Sequence, residues 1–146
     1  MPGSIRHYLA IAIVVVITAS VSGQERKPPP APLDVDFSVP TEGEADVRLD
    51  ATIRIKFSRD VDATSFDQRI RLSYSKEESA ERGEAQPPAV SFTTSYSSKT
   101  QVLEISPRPG LERFRQVQLE LLQGIVGRDG SILKPWSVRF RTGGSY

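Results

Sequence analysis

Asp60, Asp62 and Asp67 stand close together in the chain, and hard oxygen ligands at alternate positions are what a calcium loop uses. Their spacing fits no EF-hand, which needs a glycine at its sixth position and a glutamate at its twelfth, so turn and cap chemistry is the expected role. Tyr74, Tyr96 and Trp136 are the aromatic residues that could stack on a sugar or a peptide. At strand ends such residues more commonly bury their rings, and the alternation around Trp136 places it in the core. Glu42 with Glu44, and Glu77 with Glu78, supply the carboxylates of glycoside acid/base chemistry, but that chemistry needs two carboxyls facing across a cleft, which loop neighbours do not provide. Arg128-Asp129-Gly130 holds the letters of an integrin-binding tripeptide in the wrong order and reads as part of a tight turn over 127–130. The hydroxyls of Thr93, Thr94, Ser95, Ser97 and Ser98 have no base to activate them. The only histidine is His7 and there is no cysteine. A Ser-His-Asp triad, a Cys-His pair, a thiolate zinc site and a disulfide framework are therefore excluded once the segment holding His7 is removed. The expected inventory is no catalytic residue, no metal ligand and no cofactor-binding residue.

The elements that carry these residues are strands. From Thr52 to Ser58 the apolar residues Ile53, Ile55 and Phe57 fall at every second position, the mark of a half-buried β-strand. The same alternation recurs at 33–38 (Leu33, Val35 and Phe37 on one face), 69–75, 90–96, 101–106, 115–122 and 136–142, with a short edge piece at 47–49. Seven short strands with regular turn signals predict an all-β fold, an antiparallel two-sheet β-sandwich. The stretch 76–88 breaks the rhythm with six charged residues and two adjacent prolines, and it is expected to be a mobile, disordered surface loop with room for one turn of helix.

Residues 1–23 have the form of a secretory signal: Arg6 and His7, an apolar run from Tyr8, then small residues up to Gly23. Taken generously to Val21 the run gives 14 residues, short of the roughly 20 that a membrane-spanning helix needs, which favours cleavage over an uncleaved anchor. Residues 24–32 are charged and then Pro-rich, either a polyproline spacer or a disordered N-terminus, and the domain proper is expected over 33–146. Removing Arg6 from nineteen basic residues leaves as many as the eighteen acidic ones, so the mature chain is formally neutral. No long single-sign run survives, and neither nucleic acid nor an anionic membrane is an expected partner.

From Val39-Pro40 to Thr142 the chain resembles the bacterial Ig-like domain first described in surface-layer proteins, the SbsA-like type. The marks are Pro40-x-x-Gly43; Ile55-Lys56-Phe57-Ser58 with Val61-Asp62 and Ser65; Ser106-Pro107 through Pro109-Gly110-Leu111; Gly124-Ile125-Val126 with Asp129-Gly130; and Val138-Arg139-Phe140-Arg141-Thr142. The resemblance implies an exported Ig-like β-sandwich, periplasmic or extracellular, that scaffolds or binds another protein of the cell envelope and catalyses nothing. Here it is read as one such domain rather than an array. The chain is also similar to CopC-like domains, in its Pro-x-x-Gly opening and its strand ending Phe57-Ser58. Those domains hold copper through histidines; the mature chain has none, and Ser131 stands where one would be sought. The alternatives to a protein-interaction module are a carbohydrate-binding module, which needs two of Tyr74, Tyr96 and Trp136 exposed on one flat face, and a small metal-handling protein.

Overall fold

The computed structural model describes residues 31–146 together with the single positions Gly3, Gly23, Pro28 and Pro29. The expected signal and most of the Pro-rich stretch lie outside the described residues. The strands are β1 (Val35–Val39), β2 (Ile53–Phe57), β3 (Ile70–Tyr74), β4 (Phe92–Ser97), β5 (Val102–Pro107), β6 (Gln116–Leu121) and β7 (Trp136–Arg141). Each begins and ends within a residue or two of where alternation places it. A 3-10 turn (Ala63–Phe66) precedes β3, and one short helix, α1 (Lys76–Glu81), follows it.

The strands form two antiparallel sheets, ordered β1-β2-β5-β4 and β3-β6-β7. Alternation decides which side chains meet between them. Ile53, Ile55 and Phe57 of β2 are fully buried, and so are Leu103 and Ile105 of the neighbouring β5. Leu72, Leu119 and Val138 stand abreast across the second sheet and face them. Trp136 packs against this core, half-buried. The outward positions carry the charge: Arg54 pairs with Glu104 on one sheet, and Arg71 with Glu120 on the other.

The structure corrects two expectations. Phe37 is not on the inner face with Leu33 and Val35; it is 54% exposed. The register between β1 and β2 slips between Val35 and Phe37, and one extra residue turns every later side chain to the opposite face. Simple alternation cannot see a bulge.

The stretch 76–88 is not a disordered loop. It forms α1 and folds down onto β6, where Arg115 holds it. The Arg115 guanidinium is 2% exposed as a residue and reaches Glu84 at 3.0 Å, Glu112 at 2.7 Å and the Ser79 hydroxyl at 3.4 Å, with its carbon 4.3 Å from the centre of the Tyr74 ring. Its Nε is buried without a partner among the described residues. Burial disfavours its charge, but Glu84, Glu112 and Glu78 outweigh that and hold its pKa above the ordinary value. Glu78 also accepts the Gln116 N–H at 2.6 Å. Composition counts these charges as solvated; in the fold two of them, Glu84 and Glu78, lie beside the buried arginine that immediately precedes β6.

Candidate functional site

The residues with chemical potential are used for structure. Asp62 caps the 3-10 turn by accepting both the Thr64 N–H at 3.0 Å and the Thr64 hydroxyl at 2.7 Å, and these bonds hold its carboxyl below the usual carboxylate range. Asp60 turns away to Tyr96 and Arg128, and Asp67 is exposed beyond the turn. The three therefore form no common site, and no group of metal-ligating side chains converges among the described residues. Glu42 accepts the Arg139 N–H, Glu44 accepts the Thr41 N–H, and Glu77 accepts the Ser75 hydroxyl. None of these carboxylates faces another across a cleft. The aromatic residues form no platform either. Tyr74 is buried, with its hydroxyl accepting the Glu112 N–H at 2.9 Å, and Tyr96 packs edge-on against Phe66, 5.3 Å between ring centres.

Arg128-Asp129-Gly130 does lie in a tight turn, closed by the Gly130 N–H to the Gly127 carbonyl. What the sequence does not reveal is its counterpart. Arg59 reaches Asp129 at 2.7 Å while Arg128 reaches Asp60 at 3.1 Å, so two Arg-Asp dipeptides, far apart in the chain, cross-pair. Ser131, buried beside them, bonds Asp129 by its N–H and hydroxyl, and together with Arg59 it holds that carboxyl down to about 2. The Tyr96 hydroxyl closes the cluster by donating to Asp60 and accepting from the Val61 N–H, each at 2.8 Å.

Among the described residues the informative feature is at a sheet edge. The edge of β7 is sealed: Gly43 donates to the Arg139 carbonyl, Arg141 to that of Glu44, and Val47 to that of Arg141. Gly43 reaches that position at φ +78°, in the left-handed region that glycine enters freely. The expected edge piece at 47–49 contributes here as a parallel bridge from Val47 to Thr142. The edge of β1 carries the bulge. The edge of β3 is sealed by residues 88–90, through Tyr74 to the Pro88 carbonyl and Val90 to that of Leu72.

At Ser91 the chain leaves β3, crosses to the other sheet and becomes β4, where Arg108 donates to the Ser91 carbonyl. On the other side of β5, Phe57 donates to the Gln101 carbonyl, so the odd residues of β5 face β2 and the even ones face β4. Thr93, Ser95 and Ser97 are therefore the residues bonded to β5. The N–H and C=O groups of Phe92, Thr94 and Tyr96 point away from the sheet, and no strand among the described residues meets them. Beside this bare edge the crossing leaves an open groove of about 430 Å³, lined by Phe66, Asp67, Gln68 and Ile70 together with Phe92 and Thr94 of β4.

Residues 29–142 match the family model described as Bacterial Ig-like domain. The chain belongs to that family. Among solved structures it is similar to the N-terminal part of the bacterial S-layer protein SbsC, at 10% identity and TM-score 0.55, covering 77% of this chain and 24% of that one. It is similar also to PcoC, a methionine-rich copper resistance protein from Escherichia coli, at 17% identity and TM-score 0.57, covering 77% and 99%. CopC from Methylosinus trichosporium OB3b aligns at 12% identity and TM-score 0.53, covering 76% and 93%. At these identities the likeness is one of fold. The chain spans about a quarter of the S-layer fragment. No curated protein sequence matches it. As a bacterial Ig-like domain, this chain shares its sandwich with an S-layer protein and a copper resistance protein, so function must be argued from its own surface.

The sequence reading missed the bare edge, although a signal was there. No charged residue stands between Glu84 and Lys99, whereas natural edge strands usually carry a lysine, a proline or a bulge that discourages pairing.

Proposed function

We propose that this bacterial Ig-like domain is a non-catalytic, exported module that joins or scaffolds proteins of the cell envelope, in the periplasm or outside the cell, after cleavage of the segment 1–23. Residues 24–32 then serve as its spacer. The observation that carries the reading is the edge of β4: a regular, uncharged strand with three residues of unpaired backbone, beside an open groove lined by both apolar side chains and the polar Asp67 and Gln68. A free edge of this kind binds by adding a strand, with main-chain bonds supplying affinity and side-chain pockets supplying selectivity.

The carbohydrate-binding alternative needs an exposed aromatic pair on one face, which the burial of Tyr74 and the half-burial of Tyr96 and Trp136 do not offer. A metal-handling role would need donors that converge, and the acidic residues considered above are engaged with arginines and backbone N–H groups.

The test is affinity capture from envelope extract of the native bacterium with the protein carrying residues 24–146, beside its Thr94→Pro variant. Proline at 94 removes an outward N–H without touching a bond to β5. Retention of a protein by the parent and not by the variant is the expected result. Retention of glycan alone by both would replace this reading with the carbohydrate-binding one.

A further inference from the structure

We infer that the occupant of the bare edge is a second copy of this chain, with β4 pairing antiparallel to β4 about a two-fold axis through Thr94. This deepens the interaction reading and rests on the same edge.

The backbone fixes the register. Phe92, Thr94 and Tyr96 are the outward-facing residues, so a symmetric pairing in which they meet one another sets Thr94 opposite Thr94 and Phe92 opposite Tyr96. Each of the three outward pairs then exchanges two backbone bonds, and all unpaired groups of the strand are satisfied at once. The side chains agree with this register on both faces. Toward the groove, Phe92 of one copy meets Tyr96 of the other, an aromatic pair. Toward solvent, Thr93 meets Ser95, a hydroxyl pair. Both are stabilising across antiparallel strands.

Charge decides between this occupant and others. A strand that pairs with itself must not set like charges against each other, because a two-fold axis brings every residue near its own copy or a neighbour's. β4 has no charge from Phe92 to Ser97, and none precedes it back to Glu84. A heterologous partner would impose no such condition. Elsewhere the outer faces are charged, with Arg54 and Lys56 beside β1 and Arg139 and Arg141 on β7, so β4 is the edge strand that brings no charge of its own to a self-pairing, the nearest being Asp67 across the groove. The result is one eight-stranded sheet across two molecules, ordered β1-β2-β5-β4 and then the reverse. Six residues a side make a small interface, so the dimer is weak and depends on concentration.

The absence of cysteine makes the test clean. Thr94→Cys places two thiols opposite each other across the axis, at the roughly 5.5 Å Cα separation of a bonded pair, which a disulfide spans. Thr93→Cys places its thiol opposite Ser95 instead. Under mild oxidation of the whole purified protein, Thr94→Cys is expected to form covalent dimer at least tenfold faster than Thr93→Cys. Sedimentation of the unmodified protein should shift from monomer toward dimer as concentration rises, and Thr94→Lys, its fold checked by circular dichroism, should remain monomeric.

Equal cross-linking of the two cysteine variants, or a parent that stays monomeric throughout, would overturn the proposal. The outcomes also separate it from the broader reading. A monomer that captures an envelope protein through Thr94 overturns self-pairing alone, whereas a dimer that captures nothing supports self-pairing and removes the heterologous scaffold.

Discussion

β3 and β4 lie on the same flank of the sandwich and are built on either side of one connecting stretch, yet one edge is sealed and the other bare. The difference comes from where the chain crosses. Residues 88–90 bond to β3 before Ser91 carries the chain over to β5, so the covering segment of one sheet becomes the uncovered strand of the next. The segment that leads into this cover is held by an arginine. Arg115 gathers Glu84, Ser79 and Glu112 over Tyr74, while β4 is held from the side by its own tyrosine hydroxyl. One region is stabilised by a buried charge, whereas the strand of the other carries no charge of its own.

The largest break in this comparison comes from removing the arginine. Arg115→Met leaves Glu84 and Glu112 without their cation and loosens 76–84 from β6. A loss of about 3 kcal/mol is expected, at the low end for a broken buried pair because the carboxylates are partly solvated. Urea unfolding measures it. Limited proteolysis should then cut between Lys76 and Pro88, and intact resistance there would show that the cover is held by something else.

A smaller effect is expected at Tyr96, which ties β4 to the crossed arginine and aspartate pairs. Tyr96→Phe strands the Val61 N–H and one Asp60 oxygen, at a cost of about 1–2 kcal/mol. Burial, together with the bond to Asp60, pushes the Tyr96 phenol up to about 12 from an ordinary value of 10.0. A phenol whose folded pKa is raised favours the folded state while it is neutral. That contribution is full below pH 10 and is lost as the pH rises toward 12. The phenylalanine variant should lack that alkaline loss, and phenolate absorbance against pH should show one late-titrating tyrosine fewer.

The acid side gives the smallest signal. Asp129 is held down to about 2 from 3.8 by Ser131 and Arg59. Its folded pKa is depressed, so its contribution is present above pH 4 and lost as the pH falls toward 2. Asp129→Asn should flatten the fall in melting temperature across that window and leave the alkaline limb unchanged. An equally steep fall in the variant would assign the acid sensitivity to other carboxylates.

Much of this was legible in the sequence. Ile53, Ile55 and Phe57 declare β2, and the other strands follow because alternation is imposed by burial on one face. Turn glycines and Asp62 declare the connections in the same local way. What was not legible depends on residues distant in the chain. The bulge in β1 exists only against the register of β2, so Phe37 reads as core until its partner strand is known. The docking of α1 depends on Arg115 meeting Glu84, and the cross-pairing depends on Arg59 meeting Asp129, 70 residues away. The bare edge is an absence of partners, which sequence hints at only through the missing charges.

The account rests on β4 being an open edge in the free molecule and the surface at which another chain is received. Amide hydrogen exchange at dilute concentration tests it most directly. Thr93 and Ser95 should be protected by β5, while Phe92, Thr94 and Tyr96 exchange at close to solvent rates and become protected as concentration rises. Protection of all five amides in the dilute monomer would contradict the account, because it would mean that β4 is already covered.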